Sequence, residues 1–342
     1  RDRLGLNTFG DVHPGPDGQP LSDAQVIRDV LAEGIQADRV GLDFFGVGEH
    51  HRSDFAISAP DTVLAGLATA TETIRLGTAV SVLSSDDPVR LYQRFATVDA
   101  LSSGRAEVVL GRGSFTESFP LFGFDLQDYE RLFEEKLELF SRLQSEGPIT
   151  WEGGLRPAIE GLEVHPKTES GRLPAWIAVG GSPQSVVRAA HYEMPVIFAI
   201  IGGSPTAFAA FAQHYRRALE HFGKPELPIA WHSPGHVAET DEQAREEFFP
   251  AQAHNHAVIG RERGWPPLSR EAFEQMAGPD GAYYVGSPET VARKIVRHQK
   301  ALGAARFDLK YAVGTLSHSA MMRSIELYGT EVRRLVQDML AD

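Results

Sequence analysis

Eight short apolar runs alternate with stretches of helical period along the whole chain, and this alternation constrains the fold more than any other feature. The runs are Leu4–Phe9, Asp43–Gly48, Ile74–Leu83, Arg105–Leu110, Ala175–Val179, Val196–Ile201, Pro228–Val237 and Phe307–Val313. A short apolar strand with little polar alternation is buried on both faces, which places it in a parallel sheet covered by helices. Eight βα units in series predict an α/β fold, a (βα)8 TIM barrel. Helices are predicted over Ser22–Ala37, Ala59–Thr71, Pro88–Ser102 and Asp128–Ser145. In Pro88–Ser102 the side chains of Leu91, Tyr92, Phe95, Val98 and Leu101 recur at helical spacing, Asp87 can cap, Pro88 opens the first turn and Gly104 follows the end. Three later helices are predicted to open on one repeated tripeptide, Gly181-Ser182-Pro183, Gly203-Ser204-Pro205 and Gly286-Ser287-Pro288, in which serine caps and proline starts.

A single domain spanning 1–342 accommodates these units, with two insertions. Residues 146–173, rich in Gly and Pro around Trp151, predict an irregular excursion with one hairpin before the fifth strand. Residues 239–285, with His254, Asn255, His256, Trp265, Pro266 and Pro267, predict a polar insertion on the carboxyl face of the barrel, where such segments act as lids. The hydrophobic fraction is 42%, and no apolar run nears the length of a membrane span. A formal charge of −13 without any Lys/Arg-rich run argues against nucleic acid and anionic membrane surfaces as partners. The absence of cysteine excludes disulfides, thiolate nucleophiles and cysteine-ligated metal clusters. No signal peptide is visible, and the cytoplasm is the expected location.

In an α/β barrel, function collects at the carboxyl ends of the strands. The second strand ends in Glu49, His50 and His51, which places a carboxylate and two imidazoles where a ligand would sit, with a bond to a loop carbonyl as the plainer use of either ring. The first strand ends Asn7-Thr8-Phe9-Gly10, without the His-x-His of a metal-dependent barrel hydrolase, and adjacent rings at 50 and 51 point apart on a strand, so no metal is expected. His254 and His256 have ligand-pair spacing but lie in a polar segment that favours solvation. Lys310 is the one lysine at a strand end suited to Schiff-base chemistry, and no partner for it is evident. A P-loop is absent, and Gly46–Gly48 and Gly111–Gly113 lack a dinucleotide fingerprint. Gly180-Gly181-Ser182-Pro183-Gln184-Ser185 presents backbone N–H groups, a positive helix end and hydroxyls suited to a phosphate, although helix capping alone would explain it. Arg112, flanked by Gly111 and Gly113, adds a forked donor after the fourth strand, with a surface ion pair as the alternative.

Taken in order, several motifs resemble the bacterial luciferase-like flavin-dependent monooxygenases over most of the chain. They are Gly48-Glu49-His50-His51, Ile74-Arg75-Leu76-Gly77-Thr78-Ala79-Val80, Asp87-Pro88-Val89-Arg90, Leu101-Ser102-Ser103-Gly104-Arg105, Gly111-Arg112-Gly113, Gly286-Ser287-Pro288-Glu289 and the tail from Met322 to Val332. The resemblance implies a luciferase-like barrel binding FMN at its carboxyl face. It makes His50 the active-site histidine near the reactive edge of the flavin, with Glu49 beside it as a candidate catalytic residue. An ordinary imidazole pKa of about 6.5 makes either state of His50 accessible near neutrality. Ala79 and Val80 match the site of a non-prolyl cis peptide under the isoalloxazine ring. Arg112, Gly113, Gly181, Ser182 and Ser185 fall on phosphate-contacting positions, with Gly180 and Gln184 in the same run. The implied activity is a two-component monooxygenase that takes reduced FMN from a separate flavin reductase and uses O2 on a small organic substrate. The alternatives are hydride transfer with the deazaflavin F420, or a flavin-binding protein without turnover. A homodimer is also implied, and the ample apolar faces of the helices near 59–102 make them its expected seam, although core burial explains the same residues equally well. The chain departs from the pattern at Gly111, which stands where luciferase has a cysteine near the flavin. Features that define aldehyde, alkane or sulfonate substrates are not recognisable; Phe9, Phe44, Phe45, Phe115, Phe119, Trp231, His232 and His236 are candidates to shape an apolar pocket.

Overall fold

Eight parallel strands close on one another in the computed structural model, which describes residues 3–342. The barrel strands are β1 (Arg3–Thr8), β2 (Phe44–Val47), β3 (Arg75–Thr78, resumed at Ser81–Val82), β4 (Val108–Gly111), β5 (Ala175–Val179), β6 (Val196–Ala199), β7 (Ile229–Val237) and β8 (Arg306–Lys310). The ring closes in two places. β8 pairs with β1 from Arg306 on Arg3 to Lys310 on Asn7, and Ser81–Val82 pairs with Leu110–Gly111 of β4. Helices Asp23–Arg39, Pro60–Ala70, Pro88–Leu101, Tyr129–Leu143, Pro183–His191, Ala209–His221 and Pro288–Leu302 follow successive strands, and His318–Leu327 and Arg333–Ala341 end the chain. Their apolar faces and the outward side chains of the strands form one large core, which includes Leu6, Phe45, Phe95, Phe198, Trp231 and Phe307.

Inside the ring the side chains form layers, because residues two apart on a strand share a face. The amino-terminal layer is charged. Arg306 bonds Glu107 at 2.7 Å and contacts Asp308 at 3.1 Å, Arg75 reaches the other oxygen of Glu107 at 3.0 Å, and the Arg306 guanidinium lies 4.0 Å from the centre of Phe44 and 4.7 Å from that of Trp176. Burial alone would raise the Glu107 pKa, but Arg306 and Arg75 bring it below the ordinary value. Burial pushes Asp308 up to about 7, with Arg306 only partly offsetting it. Above this layer Val109, Trp176, Ile197 and Ala230 form a second, apolar cluster on which Val80 and Ala178 rest. That cluster is the floor of the barrel mouth.

The third strand differs from the uninterrupted run expected at Ile74–Leu83: it breaks at Ala79–Val80, whose peptide bond is cis. The caps at Ser182 and Ser287 form as expected, each accepting the N–H three residues on at 3.3 Å. Ser204 does not cap; its hydroxyl meets that of Thr206 at 2.8 Å, Pro205–Phe208 becomes a 3-10 turn, and the helix starts at Ala209. The excursion at 146–173 contains the expected hairpin, Ile149–Trp151 against Ile159–Leu162. The 239–285 insertion is mostly helical, with Asp241–Arg263, Arg270–Ala277 and a short strand, Tyr284–Gly286, beside β7. No helix among the described residues is long and apolar enough to cross a membrane.

Candidate functional site

The loop after β2 seats His50 in an aromatic cage. Its N–H donates to the Ile57 carbonyl at 3.0 Å, and its ring centre lies 4.4 Å from Phe55, 4.5 Å from Phe9 and 5.6 Å from Phe115. Nδ1 is enclosed without a hydrogen-bond partner, and Nε2, also without a protein partner among the described residues, lies on the open edge of the ring. Burial first, and then the positive charges of Lys310, His51 and Arg52, lower the His50 pKa to about 3. This corrects the expectation that both states are accessible near neutrality: a ring without a carboxylate partner in a phenyl cage stays neutral.

Glu49 and His51 turn away from that cage. The Glu49 N–H donates to the Val80 carbonyl at 3.2 Å, while the carboxylate accepts the Val82 N–H at 3.1 Å and pairs with His51 Nε2 at 2.7 Å. Glu49 thus holds the backbone just after the Ala79–Val80 bond, and both its oxygens are engaged. His51 rests edge-on to Phe122 at 5.2 Å while His50 packs on Phe9, Phe55 and Phe115, so the two adjacent rings point apart as expected, but from the loop beyond β2 rather than from a strand.

Val80 also explains the departure at Gly111. A Cβ on Gly111 would come 2.6 Å from Val80 Cγ2, so the valine occupies the space a larger residue would need. Gly111→Cys is expected to push Val80 out of the floor and weaken binding of a ring above it roughly tenfold, within the 1–3 kcal/mol range of overpacking. The double variant Gly111→Cys/Val80→Ala should recover most of that loss in the same titration.

Across the mouth, the ends of β4 and β5 form a corner suited to an anion. The backbone is open at Gly180, where a Cβ would meet nothing within 4 Å, and Gly181 has φ +130°. Ser182 caps helix Pro183–His191; its hydroxyl donates to Gln184 and receives that of Ser185. Arg112 and Gly113 follow the end of β4, and Arg112 is linked to helix Pro183–His191 through Glu130, which Arg188 shares. The Arg112 guanidinium pairs with Glu130, whose side chain is 62% exposed, and lies 5.4 Å from the Tyr129 ring. The surface ion pair weighed for Arg112 is therefore present. Sequence reasoning missed Arg188, which shares Glu130 at 3.3 Å and binds Glu134 at 2.6 Å. Its only sequence signal is its place one turn after Ser185.

The opposite side of the mouth, at β7, β8 and β1, is polar. His232 Nδ1 lies 2.6 Å from the Asn7 amide nitrogen. Lys310, expected to lack a partner, is held by both oxygens of buried Asp11 at 3.1 Å and by the Ala312 carbonyl, and its ammonium sits 4.2 Å over the Phe9 ring. Burial lowers its pKa and Asp11 partly restores it. Of the proposed pocket-shaping side chains, Phe44 belongs to the charged layer beneath, and Phe45, Phe119 and Trp231 are enclosed in packing. His236 is enclosed as well and bonds Glu247 at 2.6 Å. Phe9, Phe115 and His232 remain at the mouth.

Helix Asp241–Arg263 ends over the His50 loop. Arg52 binds the two oxygens of Glu262 at 2.9 and 3.0 Å and also holds Asp54 and Glu117, and Arg263 donates to the Ser114 carbonyl at 2.9 Å. The Phe115 ring takes both guanidinium groups, Arg52 at 4.2 Å and Arg263 at 5.3 Å. His256 Nε2 donates to the Pro266 carbonyl at 2.9 Å, and its ring lies 5.1 Å from Trp265, which the Arg263 guanidinium faces at 5.5 Å.

The family model of the luciferase-like monooxygenases matches residues 3–306. Among curated proteins, the 4-hydroxyprotoasukamycin monooxygenase of Streptomyces nodosus subsp. asukaensis is 27% identical, the match covering 96% of this chain and 91% of that protein. Among solved structures, a monooxygenase from Streptomyces bottropensis superposes with TM-score 0.84 at 22% identity, covering 97% of this chain and 99% of the other. The oxygenating constituent of 3,6-diketocamphane monooxygenase from Pseudomonas putida, a type II Baeyer–Villiger enzyme in complex with FMN, superposes with TM-score 0.77 at 17% identity, covering 97% and 98%. The barrel, the His50 loop and the family match together place the chain in one group: it belongs to the luciferase-like monooxygenase family.

Proposed function

We propose that the chain is the oxygenating component of a two-component, FMN-dependent monooxygenase, which receives reduced FMN from a separate flavin reductase and acts with O2 on a small organic substrate. The observation that carries this reading is His50, a neutral imidazole with a free edge in a phenyl cage, on the same rim as a corner built for an anion. Gly180, Gly181, Ser182, Gln184, Ser185, Arg112 and Gly113 would hold the phosphate, Glu130 moving aside, and Ala79–Val80 would lie under the ring system. When bound, the flavin supplies the electrons that activate O2. His50 then offers one nitrogen to a reacting oxygen as hydrogen-bond donor or acceptor, and Phe9, Phe55 and Phe115 keep water from it. Glu49 contributes by holding the 79–82 backbone rather than by exchanging protons. The helical 239–285 insertion serves as the lid, and a homodimer through helices near 59–102 in the cytoplasm completes the reading.

The test is a titration of the protein with FMN in both oxidation states, followed by reaction of the reduced complex with isotopically labelled O2 in the presence of a panel of ketones, alkenes, phenols and thioethers. Label in an organic product supports the proposal. Absence of FMN binding at millimolar concentration overturns it, and turnover of F420 without oxygen uptake replaces it with hydride transfer.

A further inference from the structure

We propose that His232, held by Asn7, is the substrate-binding donor of this site, and that the substrate presents a carbonyl oxygen on an otherwise apolar body. This inference rests on the monooxygenase reading and specifies its substrate class. The placement follows from strand register. Ala230 belongs to the apolar layer inside the barrel, so His232, two residues on, points to the same interior one level higher, at the mouth. It is 8% exposed, and its ring lies nearly parallel to Phe9 at 6.2 Å, the ring that also flanks His50.

The hydrogen bonds of His232 set it apart from the histidines elsewhere in the core. His13 has the Pro14 carbonyl and Asp29, His236 has Glu247, and His298 has Tyr284 and the Pro279 carbonyl. His232 has Asn7 alone. With Nδ1 accepting from the Asn7 amide, the ring hydrogen resides on Nε2, which has no partner among the described residues and is not sealed from the mouth. Asn7 is fixed in turn: a Cβ on Gly46 would run into its Oδ1, so the glycine of β2 provides its seat. Burial and the Lys310 ammonium hold the ring neutral, so it donates one hydrogen and carries no charge.

Position decides which molecule takes that hydrogen. The anion corner and the Ala79–Val80 turn lie on β3, β4 and β5, and a cofactor held there leaves the facing arc of β7, β8 and β1 to the substrate. On that arc Lys310 is occupied by Asp11, and Asn7 Oδ1 is enclosed without access to the mouth. A single N–H donor, on an arc where Lys310 and Asn7 are already committed, fits a carbonyl oxygen, which needs no hydrogen placed in return.

Two measurements test this. The first needs no flavin, so it stands even if FMN binding fails. In histidine-labelled protein, long-range proton–nitrogen spectra should show His232 as the Nε2–H tautomer without titration through the neutral range. Asn7→Asp should reverse the tautomer to Nδ1–H. The second uses the FMN-loaded protein and two probes of one shape, cyclohexanone and methylenecyclohexane. The ketone should bind about tenfold more tightly, the worth of one net hydrogen bond. His232→Phe should remove that preference with FMN affinity unchanged, and His232→Gln, which keeps an N–H, should restore part of it. An Nδ1–H tautomer in the native protein, equal binding of the two probes, or a loss of FMN affinity in His232→Phe with the preference intact each overturns the proposal.

Discussion

Arg306→Met is expected to destabilise the barrel by about 3–5 kcal/mol, the cost of removing one partner from a buried ion pair. Arg306 is 2% exposed and is the cation that Glu107 and Asp308 share. Glu107 keeps Arg75, so the unpaired charge falls on Asp308, which is already pushed up to about 7 with the arginine present. The sign with pH follows. Between about 4 and that raised value the unfolded chain has released a proton that the folded Asp308 keeps, so stability falls as pH rises. The deficit of the variant, read as the shift in urea midpoint, should therefore be larger at mildly alkaline than at mildly acidic pH. Adding Asp308→Asn should restore a large part of it. An unchanged midpoint, or a deficit that grows on acidification, would falsify this account of the layer.

His50→Ala is expected to lower turnover by about a hundredfold or more, the usual range for a positioned acid–base or hydrogen-bonding group, while FMN affinity holds within a few-fold. Because the native imidazole titrates at about 3, the pH profile of the wild-type enzyme should show no inflection from His50 near 6.5. Acid should act on the fold instead. Between 3 and 6.5 the unfolded chain binds a proton that native His50 refuses, so this residue's contribution is complete above 6.5 and is lost as pH falls. His232 has the same sign, also titrating at about 3. Each ring removes up to about 1.4 kcal/mol per pH unit in that window. Wild-type turnover in His50→Ala, measured on any substrate the native protein accepts, would remove the residue from the chemistry.

Local signals in the sequence reached the βα units, the cap at Ser182, the hairpin at 149–162 and the seat of His50 at a strand end. Each depends on residues within one or two turns of one another. Periodicity did not show the break in β3, because Ile74–Leu83 is mostly apolar and the contacts that shape it come from Glu49 beyond another strand; only the resemblance at Ala79 and Val80 pointed to it. The neutrality of His50 was missed for the same reason: Phe9, Phe55, Phe115 and Lys310 converge on it from distant segments. Arg188 lay hidden in a helix whose composition reads as packing. Asp11, the partner of Lys310, stands 299 residues away from it in the chain, and no period or motif links the two.

Phe115 serves two structures at once. One face of the arrangement belongs to the wall around His50, and the guanidinium groups of Arg52 and Arg263 tie the same ring to the end of helix Asp241–Arg263. In the proposed reading, with that helix as the lid, roof and wall loosen together, so an opening that frees the product also wets the imidazole. Since the tie to Glu262 is ionic and faces outward, the closed state of that proposed lid is expected to shorten as salt is added.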